Sequence, residues 1–241
     1  MPSHNQHIHD CTKALRDKLK TPFILLGGAA IVTLGSRRST SDVDILIPKD
    51  IVLNTLRDAI LTIPGFRVIG RDLTFTNGDH ECTLDILTTA TFAGDQFAYE
   101  DMNPFTILQS SANLKLLRLD FALAVKLLCL WSRTEDEKGD IKRGRDAEDI
   151  LFLVEAMERN GMTVSNDCAQ KFRLQFYQIF VIRSWLPTET VDRLVRIGVR
   201  NLLVPWKENT ESQKEDYVAT IPEDLNPEET DPFTVELESE E

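Results

Sequence analysis

The chain has 241 residues, 42% of them hydrophobic and 27% charged, enough for a substantial core and too apolar for wholesale disorder. The net charge of −12 sits at the end of the chain: residues 207–241 carry 13 acidic and 2 basic side chains, whereas residues 1–206 carry 26 and 25. A nearly neutral body excludes a strong nucleic-acid-attracting field, and no apolar run approaches the ~20 residues that cross a bilayer.

The first nine residues are polar and expected to be mobile. Asp10 to Lys20 predicts a short helix with Ala14, Leu15 and Leu19 on one side, ended by Thr21-Pro22. Phe23 to Leu26 reads as a buried strand stopped by Gly27-Gly28, and Ala29 to Leu34 as a short helix closed by Gly35. After the polar loop Ser36 to Ser41, Val43 to Ile47 alternates as a second strand. Residues 50–62 predict an amphipathic helix with Ile51, Leu53, Leu56, Ile60 and Leu61 inward. Arg67 to Thr76 and Glu81 to Leu87 flank Asn77-Gly78, a tight-turn signal, and form a hairpin.

From about Asn113 the pattern turns helical: Leu114 to Trp131, Arg145 to Arg159, Asp167 to Trp185 and Thr188 to Leu203, with Thr134 to Gly144 as an exposed charged loop. The acidic end lacks the apolar residues to offset chain entropy, so it is expected to be disordered, and a protein partner for it is conceivable on composition. The expected organisation is α+β, a small mixed or antiparallel sheet with flanking helices in residues 1–112, then a helical subdomain in 113–206 and an acidic tail in 207–241. Cys11, Cys82, Cys129 and Cys168 lie far apart without metal-ligand spacing and read as reduced thiols. With no apolar signal core at the start, the cytoplasm is the expected compartment, or the nucleus.

The stretch that carries chemistry runs from Leu25 to Ile47. Two glycines between a strand and a helix let the backbone turn sharply and approach a ligand closely. Amides at the start of that helix offer donors to a phosphate, and Arg37 and Arg38 follow in the next loop, where a guanidinium can clamp phosphate oxygens. Asp42 and Asp44, two residues apart on a strand, project from one face. Two carboxylates so close repel, and a divalent cation relieves the repulsion; magnesium binds through such carboxylates together with substrate phosphates. Asp85 lies between apolar neighbours on the later strand. If that strand adjoins the first, three carboxylates meet beside the glycine turn, a set suited to two-metal displacement at phosphorus.

In this order of features the sequence resembles the polymerase-beta-like nucleotidyltransferase superfamily, and within it the minimal members that include abortive-infection toxins and antibiotic adenylyltransferases. Leu26-Gly27-Gly28, Asp42-Val43-Asp44 and Asp85 carry the resemblance, with Arg38-Ser39-Thr40-Ser41-Asp42 similar to an Arg-x-Thr-x-Asp approach. A second match is Lys126 in the apolar helix Phe121 to Leu128, followed by Arg145-Asp146-Ala147-Glu148-Asp149.

The resemblance implies that Asp42, Asp44 and Asp85 hold magnesium (or manganese). It implies that Gly27, Gly28, Ser36, Arg38 and Thr40 hold the triphosphate, that Asp85 helps to deprotonate the attacking hydroxyl, and that Lys126 contacts phosphate with Asp146 beside it. The donor would be a nucleoside triphosphate, the acceptor a hydroxyl on a small molecule, a protein or a tRNA, and the leaving group pyrophosphate. On the residues alone, the alternative for Lys126 is a snorkelling surface lysine and for Asp146 a helix cap. The rival functions are a catalytically silent scaffold that binds nucleotide or a protein, and a metal-dependent phosphohydrolase. The stretch Thr134 to Arg143 is long for the resemblance.

Overall fold

In a computed structural model, which describes residues 5–203, the chain divides after Arg118 into two compact units. The first contains, in chain order, α1 (Gln6–Lys18), β1 (Ile24–Leu26), α2 (Gly27–Thr33), β2 (Asp42–Leu46), α3 (Leu53–Leu61), β3 (Phe66–Ile69), β4 (Asp72–Asn77), β5 (His80–Leu87), β6 (Thr89–Phe92), β7 (Asp95–Ala98), α4 (Tyr99–Met102), β8 (Thr106–Gln109) and β9 (Leu114–Leu117). Seven strands form one sheet in the order β3-β4-β5-β2-β1-β9-β8, and β6-β7 form a separate ribbon. The sheet is mixed: β1 runs antiparallel to β2, β2 parallel to β5, and β1 parallel to β9. The fold class is therefore α+β with a mixed sheet, as the sequence indicates.

Central strands are built from apolar runs because both faces are covered. Ile24, Leu25, Ile45 and Leu46 have no exposed surface, and each such aliphatic side chain contributes about 1.5–3 kcal/mol through its removal from water. On β2, Val43 and Ile45 point into the core with α1's Ile8, Cys11 and Leu15, and this alternation leaves Asp42 and Asp44 together on the other face.

Several expectations need correction. The amino-terminal segment is not loose from residue 5 onward: α1 starts at Gln6, and Asn5 and Ile8 are buried, because Ile8, Cys11, Thr12 and Leu15 recur at helical spacing and seat this first turn on the sheet. Leu53 faces solvent at the start of α3, whereas Leu56 and Ile60 are its buried residues. Arg67 to Thr76 is two strands with a turn at Gly70, whose positive φ of 63° reverses the chain, so the hairpin is a three-stranded meander. Leu114 to Leu117 is a strand of the large sheet, not the start of a helix.

The second unit is helical: α5 (Leu119–Trp131), α6 (Glu137–Arg159), α7 (Asn166–Lys171), α8 (Phe176–Ser184) and α9 (Thr188–Arg196). The charged stretch expected as a loop is mostly the first two turns of α6. Asp136 caps the helix by accepting from the Gly139 amide at 2.6 Å, and that amide bond, helped by the Thr134 hydroxyl, holds the Asp136 carboxyl below its ordinary range. The single helix expected over Asp167 to Trp185 is two, broken before α8. The next ends at Arg196, with Gly198 left-handed after it (φ 85°). The acidic tail of residues 207–241 lies outside the described residues. Among the described residues no helix is long and apolar enough to cross a membrane.

Candidate active site

The β1–α2 junction and the start of β2 bring the predicted residues of the first unit together. Leu26, the last residue of β1, stands opposite Asp44 on β2, so Gly27 lies directly beside that aspartate. A Cβ on Gly27 would overlap the Asp44 carboxylate, and Gly27 has a positive φ of 61°, so both its conformation and its lack of a side chain are needed here. At Gly28 an added Cβ would overlap the Arg38 guanidinium and lie 2.6 Å from Thr40 Oγ1. The glycine pair thus leaves room for Asp44, Arg38 and Thr40 at one turn of backbone.

Thr40 donates its hydroxyl to Asp42 Oδ1 at 2.6 Å, and Ser36 Oγ accepts from the Arg38 amide at 3.3 Å. Parallel pairing of β2 with β5 sets Asp44 directly across from Asp85 and Asp42 across from Thr83. Neighbouring strands are about 4.8 Å apart, so Asp42, Asp44 and Asp85 emerge from one face of two adjacent strands. The condition left open by the sequence, that the two strands adjoin, is met.

Desolvation raises the Asp85 pKa above the ordinary carboxylate range, and the charges of Asp42 and Asp72 push it further. Asp72, at the start of β4, was not singled out in the sequence; no motif marks it, and only the β4–β5 pairing brings it within reach. Nothing in the sequence marks Asn5 or His7 as a partner of the loop between α2 and β2. Asn5 Nδ2 donates to the carbonyl of Arg38 at 2.7 Å, and His7 Nε2 donates to the carbonyl of Thr40 at 3.0 Å, so both fasten the loop between α2 and β2.

Among the described residues no three His, Cys, Asp or Glu side chains close into a ready cage for a metal ion. Asp42 is drawn to Thr40, and Asp44 lies over Gly27. The donor set still fits a hard divalent cation. Magnesium and manganese take oxygen ligands, and magnesium commonly uses one or two carboxylates and completes its shell with water and substrate phosphates.

Lys126 and Asp146 meet each other in the second unit. Lys126 Nζ lies 2.8 Å from Asp146 Oδ1 and 2.7 Å from Asp149 Oδ2, and Arg133 reaches Asp146 Oδ2 at 2.7 Å. Lys126 is buried rather than snorkelling, and Asp146 lies inside α6 rather than at its cap. Burial pulls the Lys126 ammonium down, but the charges and hydrogen bonds of Asp149 and Asp146 outweigh it and hold its pKa above the ordinary value. In the same pocket of charge, desolvation pushes the Cys129 thiol up to about 11. Arg143, expected in the exposed charged loop, is buried over the Trp185 ring and donates to the Arg133 carbonyl.

No protein-family model matches the chain, and no curated protein does. Among solved structures it is similar to an antigenic nucleotidyltransferase-like protein from Paracoccidioides brasiliensis. The identity is 17%, over 82% of this chain and 89% of that one, with a TM-score of 0.49. It is also similar to JHP933 from Helicobacter pylori, at 16% identity over 89% of this chain and 88% of that one, with a TM-score of 0.42.

Proposed function

We propose that the chain is a metal-dependent nucleotidyltransferase. An acceptor hydroxyl attacks the α-phosphorus of a nucleoside triphosphate, the acceptor–phosphorus bond forms, and pyrophosphate leaves. The observation that carries this reading is the register of β2 on β5, which pairs Asp44 with Asp85 and keeps Asp42 on the same face, beside a glycine turn that makes room for Asp44 and Arg38.

Asp42, Asp44 and Asp85 would hold magnesium or manganese. A cation bound there supplies Lewis acidity at the phosphoryl group and offsets the charge of the departing pyrophosphate. Arg38, with Ser36, Thr40 and the glycine amides, receives the triphosphate. Thr40 keeps Asp42 oriented by its hydroxyl hydrogen bond. Asp85 would take up the proton of the attacking hydroxyl. Lys126, which the resemblance assigns to phosphate, is ion-paired with Asp146 and Asp149.

A second reading, a silent nucleotide-binding or protein-binding scaffold, is favoured by that last observation, since the charge of Lys126 is already balanced internally. Thermal shifts with each nucleoside triphosphate and magnesium separate the two, in wild type and in an Asp42→Asn/Asp44→Asn variant. Loss of repelling carboxylates can itself raise the apo melting temperature, so the ligand-induced shifts are what count. At a ligand concentration 100 times Kd, a shift of roughly 5 °C or more is expected in wild type, with none in the variant. The nucleotide giving the largest shift is then the donor for a labelled-transfer screen of small molecules, proteins and tRNA. No shift with any nucleotide favours the scaffold.

A further inference from the structure

The amino-terminal turn of α1 holds the loop that the proposed function assigns to phosphate. Asn5, one-sixteenth exposed at 6%, donates Nδ2 to the carbonyl of Arg38 at 2.7 Å. One residue into α1, His7 donates Nε2 to the carbonyl of Thr40 at 3.0 Å, and its ring stacks on His80 with centroids 6.0 Å apart. Both acceptors are backbone atoms of residues whose side chains matter: the Arg38 guanidinium crowds Gly28, and the Thr40 hydroxyl bonds Asp42 at 2.6 Å. The connection runs without a gap from α1 through two loop carbonyls to a carboxylate of the site.

The base of the clamp is rigid. Ile8, Cys11 and Leu15 are fully buried against the sheet, Asp10 Oδ2 accepts from Asn77 Nδ2 at 2.7 Å, and Cys82 on β5 lies 4.0 Å from the His7 carbonyl. A loop fixed by two hydrogen bonds to such a base loses less freedom when it closes on a ligand, and ligand affinity rises accordingly. Helix α1 needs neither bond for its own formation, because Asn5 makes no side-chain cap to it.

We infer that Asn5 and His7 are positioning residues, a clamp from α1 that presents Arg38 and Asp42 to the triphosphate and its cation. The nucleotide arm rests on the proposed function; the loop arm does not. The test uses the full chain as wild type, Asn5→Ala/His7→Ala, His7→Ala and His7→Gln, in which a glutamine amide can restore the donor to Thr40. Hydrogen exchange of residues 36–42 is measured without ligand, and magnesium-dependent binding of the nucleotide found above is measured by titration calorimetry.

Loss of one or two hydrogen bonds corresponds to about fivefold to tenfold in an equilibrium constant. The double variant should therefore exchange about fivefold to tenfold faster in 36–42, with the β1–β2–β5 core unchanged, and bind nucleotide weaker by a similar factor. His7→Ala should show part of both effects, and His7→Gln should recover most of what His7→Ala loses. Unchanged exchange in 36–42 overturns the clamp. Faster exchange with unchanged nucleotide affinity overturns its part in binding. Faster exchange in a protein whose wild type binds no nucleotide keeps the clamp and removes the proposed function. If the double variant fails to fold, His7→Ala against His7→Gln decides by the same readings.

Discussion

Asp85 occupies an exposed position on β5, yet it binds its proton more tightly than a free carboxyl, through desolvation and the charges of Asp42 and Asp72. A carboxyl with a raised folded pKa holds more proton in the native state than in the unfolded one over the range between the two values. Stability therefore falls as pH rises through that window, starting at the ordinary value of 3.8. Asp85→Asn removes this ionisation, so the metal-free variant should melt above wild type at neutral pH. The difference should vanish as pH drops below the ordinary carboxylate value, and melting curves across pH would show it. A metal-free Asp85→Asn that melts at or below wild type at pH 7 would contradict the crowding of charge at this site. With magnesium and nucleotide present the order should reverse, since the cation then rewards the third carboxylate.

The turn between β1 and α2 carries the next prediction. Gly27 and Gly78 share a positive φ of 61°, but a Cβ meets the Asp44 carboxylate at Gly27 and open space at Gly78. Alanine at either position incurs a left-handed penalty of about 1–2 kcal/mol, so both variants should lose stability in denaturant titrations. Gly27→Ala must also displace Asp44, and it should abolish the nucleotide-induced thermal shift that Gly78→Ala keeps. Equal nucleotide shifts in the two variants would mean that Asp44 does not need the space. At this scale the elements that could be read locally were those with a periodic core face or a turn residue of fixed conformation, such as β1, β2 and the Asn77-Gly78 reversal. Leu114 to Leu117 differs from its expected helix because so short a stretch, Leu-Lys-Leu-Leu, fits a strand or a helix equally. Its pairing with β1 and β8 is what made it a strand. The start of α6 was missed because its charged first turns look like a loop until Asp136 is recognised as their cap.

Across the molecule, each of the two units has its own organising cluster. In the second, Lys126 on α5 is bound to Asp146 and Asp149 on α6, with Arg133 alongside, while Asp120 on α5 accepts from the Ser165 hydroxyl at 2.6 Å just ahead of α7. Removing the lysine leaves two buried carboxylates with less compensation, and such losses amount to about 3–5 kcal/mol. Lys126→Ala should be destabilised by that order in chemical denaturation. The folded lysine pKa is raised above its ordinary value of 10.5, so its contribution is intact at all pH below that and fades only as pH rises through the raised value. A Lys126→Ala loss below about 1 kcal/mol would place the lysine's charge in solvent.

The glycine pair, the Asp42–Asp44 spacing and the lone Asp85 were legible because strand periodicity and glycine chemistry are local properties, written in neighbouring residues. So were the α+β order of elements and the concentration of charge in the last 35 residues. The parallel register that sets Asp44 beside Asp85, the approach of Asp72, the burial of Lys126 between two aspartates and the hold of Asn5 and His7 on the loop between α2 and β2 depend on long-range contacts. Local pattern states which residues want to be buried or paired. Which distant partner satisfies them is decided only when the sheet and the helices pack.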